Sequence, residues 1–400
     1  MQYIDQMDIK GKKLLFRVDF NVPLDGSTIT DDNRIRAVVP TLRYAMEQGA
    51  AVIVCAHLGK PKGQVVPELT LAPIAKRLGE LLGTDVALAP DCVGPDVESM
   101  AASLQPGQVM MLENLRFHKE EQGKTAEDRG DFGKQLASLA DIYVNDAFGV
   151  AHRANASVVD VPAHAKDCCI GFLMKKEWEY LGTALADPKR PFVAVSGGAK
   201  VSSKLGILYN LLGKVDHIII GGAMANTFLA AQGHGVGKSL VENDLFDEAL
   251  KIMETARQKG SQIHLPQDFV YADSPDADKA NGSCGADCIP EDMMVLDIGP
   301  ESIETFKKVL DGAGTVVWNG PMGLFETPAF AEGSMELCKA MADMPEAVTI
   351  VGGGDTDAVV HKAGLTERFS FISTGGGSFL EFLEGKELPA FKALKECFAK

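Results

Sequence analysis

The sequence predicts an α/β protein of two doubly wound domains, each a mostly parallel sheet flanked by helices, joined by an interdomain helix. Three observations carry that expectation. Short continuous apolar runs alternate with stretches of helical period, the pattern of strands buried on both faces and helices that cover them. The 400 residues are more than one hydrophobic core usually organises. A helical stretch around residues 171–185 separates one series of strands from a second.

The first strand is expected over 12–19, with Leu14, Leu15, Phe16 and Val18 as its apolar body, and it ends in Asp19-Phe-Asn-Val-Pro23. A dinucleotide-binding domain would place Gly-x-Gly-x-x-Gly here, so this ending counts against a nicotinamide enzyme. Asp19 and Asn21 instead suit the hydroxyls of a small ligand. Asp31-Asp32-Asn33 reads as a helix cap, followed by Arg34 and Arg36 where the helix dipole disfavours cations. For Arg36 a solvated face is the better reading; for Arg34, solvent and ligand both stay open. The strand at 51–56 delivers His57-Leu58-Gly59-Lys60, that at 108–112 delivers Glu113-Asn-Leu-Arg116, and that at 141–144 delivers Asn145 to Gly149 and then His152-Arg153. Ligands of open parallel sheets bind outside the carboxyl ends of the strands, so these ends should share one cleft. Arg34, His57, Lys60, Arg116, His152 and Arg153 would make it basic, which suits a small polyanion. Any one of them reads equally well as a surface charge; the set does not.

Met174, Trp178, Leu181 and Leu185 keep helical spacing until Asp187-Pro188, and this is the expected interdomain helix, a core helix of one domain being the alternative. Strands follow at 192–195, 216–220, 262–265, 315–318, 348–351 and 369–372, with helical patterns at 244–258 and 330–341. Ser196-Gly-Gly-Ala-Lys200 lies between a strand and a stretch with Val201, Leu205 and Leu208 at helical spacing. It predicts a helix opened by Lys200, with Lys204 one turn on and free N–H groups that attract an anion; a tight turn with solvated lysines is the alternative. Glycines recur at Gly221-Gly222, in Asn319-Gly-Pro-Met-Gly-Leu-Phe-Glu326, in Gly352-Gly-Gly-Asp-Thr356 and in Ser373-Thr-Gly-Gly-Gly377, which suggests a phosphate and nucleotide cradle. There Asp355 suits Mg²⁺, directly or through water, and is equally at home as an N-cap. Gly233-His-Gly-Val-Gly-Lys-Ser239 misses the P-loop spacing by one residue, so Lys238 reads as an ordinary loop lysine.

The formal net charge of −16 argues against a general nucleic-acid or anionic-membrane partner. The opening residues show no apolar leader and no later run is long enough to span a bilayer, so a cytoplasmic protein is expected. The eight cysteines are expected reduced, Cys284-x3-Cys288 without nearby histidines being weak evidence for zinc.

In order along nearly the whole chain, Val18-Asp-Phe-Asn-Val-Pro23, His57-Leu-Gly59, Glu113-Asn-Leu-Arg-Phe117, Asn145-Asp-Ala-Phe-Gly149, Gly197-Gly-Ala-Lys-Val201, Trp318-Asn-Gly-Pro321, Gly353-Gly-Asp-Thr356 and Ser373-Thr-Gly-Gly-Gly377 resemble the motifs of phosphoglycerate kinases. The resemblance implies a phosphoglycerate-binding domain over 1–170, a hinge helix over 171–186, a nucleotide-binding domain over 187–378, and a tail over 379–400 that packs back on the first domain. It implies that Asp19, Asn21, Arg34, His57, Leu58, Gly59, Lys60, Arg116 and Arg153 bind 3-phosphoglycerate or 1,3-bisphosphoglycerate. Gly198, Lys200, Lys204, Gly222, Asn319, Gly323, Glu326, Gly353, Gly354, Asp355 and Thr356 would bind ATP or ADP, with Mg²⁺ at Asp355. Arg34, Lys200, Gly375 and Gly376 would meet the moving phosphoryl group, and a monomer is implied. Two positions depart from the family pattern: Lys60 stands where arginine is usual, and Asn155 where histidine is common. Lysine keeps the charge but loses the bidentate fork. The residues alone also admit a two-domain anion-binding protein without catalysis.

Overall fold

A computed structural model describes residues 1–399, except for the side chains of 183–185, so the packing expected of Leu185 lies outside the described residues. The strands in chain order are β1 (Lys13–Val18), β2 (Leu24–Asp25), β3 (Thr28–Ile29), β4 (Ala51–Cys55), β5 (Val86–Leu88), β6 (Val109–Met111), β7 (Ile142–Asp146), β8 (Asp167–Ile170), β9 (Phe192–Ser196), β10 (His217–Ile220), β11 (Gln262–His264), β12 (Asp268–Ala272), β13 (Gly282–Gly285), β14 (Met294–Ile298), β15 (Thr315–Asn319), β16 (Val348–Gly352) and β17 (Phe371–Ser373). They build two six-stranded sheets, β5-β6-β4-β1-β7-β8 and β11-β10-β9-β15-β16-β17. Every pairing within these two sheets is parallel. A small antiparallel sheet, β13-β12-β14, stands apart from them.

The chain divides into two compact units, Met1–Glu179 with Glu387–Lys400, and Tyr180–Lys386. In the first, Leu14, Phe16 and Val18 of β1 and Val52 and Val54 of β4 form one core with Ile35, Val38, Leu42 and Ala45 of the helix Asn33–Glu47. Those helix positions repeat at three, four and three residues, so one face is apolar and the strands it covers need no polar alternation. In the second unit, Val193, Val195, Val316, Trp318 and Val351 pack with Ile303, Phe306 and Leu310 of the helix Pro300–Leu310 and with Leu337 and Met341 of the helix Glu332–Ala342. The four strands read from the first half of the sequence are the four central ones of its sheet; β5 and β8 at its edges, and β12 to β14, lie outside the expected strands, β5 because it carries no strong apolar run.

The helix Phe172–Ala186 occupies the expected joining segment and ends before Asp187-Pro188. Asp146, at the carboxyl end of β7, accepts from the backbone N–H of Met174 at 3.0 Å and from Thr41 Oγ1 at 2.6 Å, and so anchors the start of that helix. The returning tail begins later than 379. Asn210 Nδ2 donates to the Leu383 carbonyl at 2.7 Å, which keeps the helix Gly377–Leu383 with the second unit. The helix Pro389–Phe398 packs on the first, where the Ala390 N–H donates to the Ala151 carbonyl. Cys397 of that helix is disulfide-bonded to Cys168 of β8, which corrects the expectation of eight reduced thiols. The two lie 229 residues apart in sequence, so only the fold brings them together. Among the described residues no helix is long and apolar enough to cross a membrane.

Candidate active site

In the first unit the polar residues at the strand ends form one connected cluster. Arg34 Nη1 donates to Asp19 Oδ2 at 3.0 Å and to the Asn21 carbonyl at 3.3 Å. Asn21 Oδ1 accepts from the Gly59 N–H at 2.8 Å, and the Gly59 carbonyl accepts from Arg116 Nη1 at 2.6 Å. Arg34 thus joins the cluster with its side chain still 42% exposed, while Arg36 and Arg77 share the carboxylate of Asp32 on the surface. The turn of Gly59, at φ +61°, is one that a side chain would strain. Leu58 is buried beside it, held by Asn114, and Lys60 is exposed.

Charge and burial make this cluster unusual. Arg116 is 3% exposed, and its Nε and Nη2 have no hydrogen-bond partner among the described residues. Burial and the positive charges of Arg153 and Arg17 pull its pKa down to about 10, so it stays charged at neutral pH. A buried cation with two unused donors loses its hydration without compensation, a cost that an anion seated against it removes. His57 is buried, and burial together with Arg17, Arg116, Arg153 and Arg34 holds its pKa well below the usual histidine value, so the ring is neutral. Arg153 is exposed and acts on His57 and Arg116 through its charge. Asn155 is 5% exposed and donates to Glu121 Oε1 at 3.2 Å, a structural duty within the unit.

In the second unit a cavity of about 490 Å³ is walled by Gly198, Ala199, Gly222, Ala223, Pro321, Met322, Gly323, Phe325, Glu326 and Asp355. Its glycines let backbone meet backbone: the Gly198 N–H donates to the Pro321 carbonyl at 3.0 Å and the Gly222 N–H to the Met322 carbonyl at 2.9 Å. A Cβ at Gly222 would run into the backbone of Gly198, and one at Gly323 into Asp297. Lys204 is 9% exposed and bonded to Asn319 Oδ1; burial lowers its pKa to about 8 while the negative charge of Asp355 pushes the other way. Asn319 Nδ2 donates to the Gly352 carbonyl and Thr356 Oγ1 accepts from the Gly320 N–H, so these two side chains hold the turns in place. Gly353, at φ +97°, caps the helix Gly354–Ala363, whose first turn carries the exposed Gly354 and Asp355. Gly375 is buried, and Gly376, at φ +42°, caps the helix Gly377–Leu383.

Lys200 differs from its expected place. It lies exposed in a loop, and the helix begins at Leu205 with Lys204 at its cap. Ser202 gives its N–H and hydroxyl to Glu242 at 3.0 and 2.6 Å, and Ser203 Oγ donates to the Lys200 carbonyl at 2.8 Å. Such side-chain bonds compete with the first helical turn and delay it. Lys238, read as an ordinary loop lysine, lines the cavity together with Leu240, Phe269 and Pro275. The paired segments that carry them are too short and irregular to leave a periodic trace: the Lys238 N–H donates to the Met293 carbonyl and Ser239 Oγ accepts from the Val295 N–H.

Asp355 fits a magnesium ligand of the kind that accompanies a nucleotide, since this ion keeps most of its waters and takes one or two carboxylates beside phosphate oxygens. Among the described residues the one tight group of mixed metal-type donors, Asp91, Cys92 and His118, lies elsewhere. Its atoms are already partnered, His118 Nε2 with Asp91 Oδ1 at 2.6 Å and Cys92 Sγ with the Glu113 carbonyl at 2.9 Å.

Two parallel-sheet units, one with a buried cationic cluster and one with a glycine-walled cavity, define an α/β protein of two domains whose strand ends are suited to small anionic ligands. The family model described as phosphoglycerate kinase matches residues 4–386. A phosphoglycerate kinase of Maridesulfovibrio salexigens is 70% identical over 99% of this chain and all of its own. A cytosolic phosphoglycerate kinase of Triticum aestivum is 52% identical over 98% of each chain. The solved phosphoglycerate kinase of Coxiella burnetii superposes with a TM-score of 0.91 at 42% identity, covering 98% of both chains. This chain belongs to the phosphoglycerate kinase family.

Proposed function

We propose that this chain transfers a phosphoryl group reversibly between 1,3-bisphosphoglycerate and ADP, giving 3-phosphoglycerate and ATP, with the sugar-acid ligand on the first unit and the nucleotide on the second. The observation that carries the assignment of the first unit is Arg116, a buried guanidinium with two unpartnered donors amid Arg34, His57 and Arg153. An anion would relieve that arrangement, and Asp19 and Asn21 beside it suit the hydroxyl of a small hydroxy acid. The glycine-walled cavity supports the nucleotide: its apolar wall of Phe269, Leu240 and Met322 suits a base, Glu326 suits ribose hydroxyls, and Gly353 and Gly354 at a helix start suit phosphates.

In the ATP-consuming direction the nucleophile is a carboxylate, already ionised at neutral pH, so no general base is required. The neutral, buried His57 fits that chemistry, being placed to donate a hydrogen bond without supplying a proton. Rate enhancement then comes from alignment and from cations set around the equatorial oxygens of the transferring group. Lys200 and Arg34 take that role, together with the turn of Gly375 and Gly376; the Gly375 N–H is already given to Ser373 Oγ at 3.1 Å, which leaves Gly376 as the backbone donor. Asp355 would hold magnesium at the nucleotide, where the ion would supply further neutralisation of charge. Because each unit holds its own ligand, direct transfer requires a closure bending at the helix Phe172–Ala186, which also excludes water. The reading extends to a monomer acting in the cytoplasm, in keeping with the relative named cytosolic. A coupled assay tests it: ADP release from ATP that rises saturably with 3-phosphoglycerate supports the reading, and release indifferent to 3-phosphoglycerate contradicts it.

A further inference from the structure

Arg17 of β1 is a fully buried cation that the chemistry above does not use. Its Nε donates to Ser157 Oγ at 2.8 Å and its Nη1 to the Val18 carbonyl, and Nη2 lies 3.3 Å from Nδ1 of His57. Glu121, equally buried, stands 3.9 Å from the same Nη2. Three donors fix that carboxylate: the Ser157 N–H at 2.9 Å, Ser157 Oγ at 2.7 Å and Asn155 Nδ2 at 3.2 Å. Tyr143, bonded to the Ser157 carbonyl, and Cys55 complete the titratable surroundings, and both are neutral because burial raises their pKa.

A guanidinium has donors only and does not give up its charge in a protein. Whatever atom lies within hydrogen-bond distance of Nη2 must therefore accept, and Nδ1 of His57, at 3.3 Å, is closer to it than Glu121 Oε1 at 3.9 Å. A proton on Nδ1 would set two donors against each other in a buried place. The single proton of the neutral ring is left to Nε2, and a second proton is opposed by the four arginines around it.

We propose that Arg17 is a positioning residue that locks His57 in its Nε2–H tautomer, so that the ring offers the sugar-acid phosphate a neutral hydrogen-bond donor in a fixed orientation. Glu121 balances the charge of Arg17 and Ser157 holds both, so the lock is a chain from Asn155 through Glu121 and Arg17 to His57. The position where this chain carries asparagine in place of the family's common histidine is thus wired to the ring from behind. The consequence for binding rests on the reading that His57 faces 3-phosphoglycerate; the tautomer does not.

Nitrogen-15 and proton NMR of the full-length protein with labelled histidine decides it, His57 being assigned by the His57→Gln variant. The proposal expects a proton bonded to Nε2 and none on Nδ1 from pH 6 to 8, with and without 3-phosphoglycerate. A proton on Nδ1, or a doubly protonated ring in that range, overturns it. Ser157→Ala removes the partner of Arg17 Nε while leaving the guanidinium in place. It should raise KM for 3-phosphoglycerate about tenfold, with kcat and KM for ATP within about twofold. An unaltered KM with the Nε2–H signal broadened by tautomer exchange overturns the coupling, and a changed melting temperature with an unaltered spectrum marks Ser157 as merely structural, which also overturns it. Failure of the His57 resonances to shift on adding 3-phosphoglycerate contradicts the substrate reading instead, and leaves the tautomer result to stand or fall separately.

Discussion

Arg116 shows how binding and folding oppose each other at one residue. Its unpartnered Nε and Nη2 make the ligand-free unit pay for a desolvated charge. Arg116→Met should therefore leave the melting temperature of the ligand-free protein unchanged or raised, and abolish the rise in melting temperature that 3-phosphoglycerate gives the native chain; a large loss of ligand-free stability would show that Arg116 is a structural residue. Lys200, exposed and unneeded by the fold, is expected to act in the transition state. Lys200→Ala should lower kcat by about 10²–10³ while the Kd for ADP stays within a few fold, as for other charge-stabilising groups; near-normal turnover would remove it from the mechanism. The residue types of both clusters were legible in the sequence because chemistry at strand ends shows as polar and glycine punctuation after an apolar run. Which of them are buried was not, because the burial of Arg116 and His57 depends on segments distant in sequence, as in the bond from Arg116 to Gly59, 57 residues away, and the approach of His57 to Arg17, 40 residues away. Arg17 drew no notice and Lys238 reads as an ordinary loop lysine for the same reason: nothing local marks a buried arginine or a lysine that lines a cavity.

At the scale of elements all six strands of the second sheet and the four central strands of the first were readable, and the edges β5 and β8 of the first were not. Continuous apolar runs such as β1, β4 and β9 announce burial on both faces, whereas β5, with only Val86 and Leu88 partly buried, lacks that signal. The helix expected at Lys200 begins at Leu205 because Ser202 and Ser203 spend their hydrogen bonds on Glu242 and on the loop. Elements also set the pH response. Burial raises the pKa of Asp146, at the end of β7, to about 6, and that of Asp297, in β14, to about 7, the N–H groups of Ile298 and Gly333 offsetting only part of the effect on Asp297. A carboxyl that binds its proton more tightly folded than unfolded makes stability fall as pH rises from the unfolded pKa to the folded one. Stability should thus decline between about pH 4 and pH 7, and Asp297→Asn should flatten the upper part of that slope in denaturant titrations; an unchanged slope would show that Asp297 does not titrate there. The disulfide between β8 and the terminal helix is a third element-scale device. Its reduction, or Cys397→Ser, should cost about 2–4 kcal/mol of stability without altering KM for either substrate. Equal stability of the oxidised and reduced protein would contradict this.

At the scale of the molecule the sequence made the two-unit architecture legible, because a second strand series starts afresh after residue 187. Where the chain returns was less clear: it does so from Glu387, since Leu383 remains tied to Asn210. Closure about the helix Phe172–Ala186 is the whole-molecule prediction, and solution scattering should show a smaller radius of gyration with both ligands than with either alone. The central claim, that each unit holds its own ligand, is tested most directly by hydrogen exchange with one ligand at a time. With 3-phosphoglycerate alone, protection should rise around Asn21, Gly59 and Arg116 and leave the second unit unchanged; with Mg-ADP alone it should rise around Gly198, Gly222, Lys238 and Gly354 and leave the first unchanged. Protection of the same unit by both ligands would contradict the account.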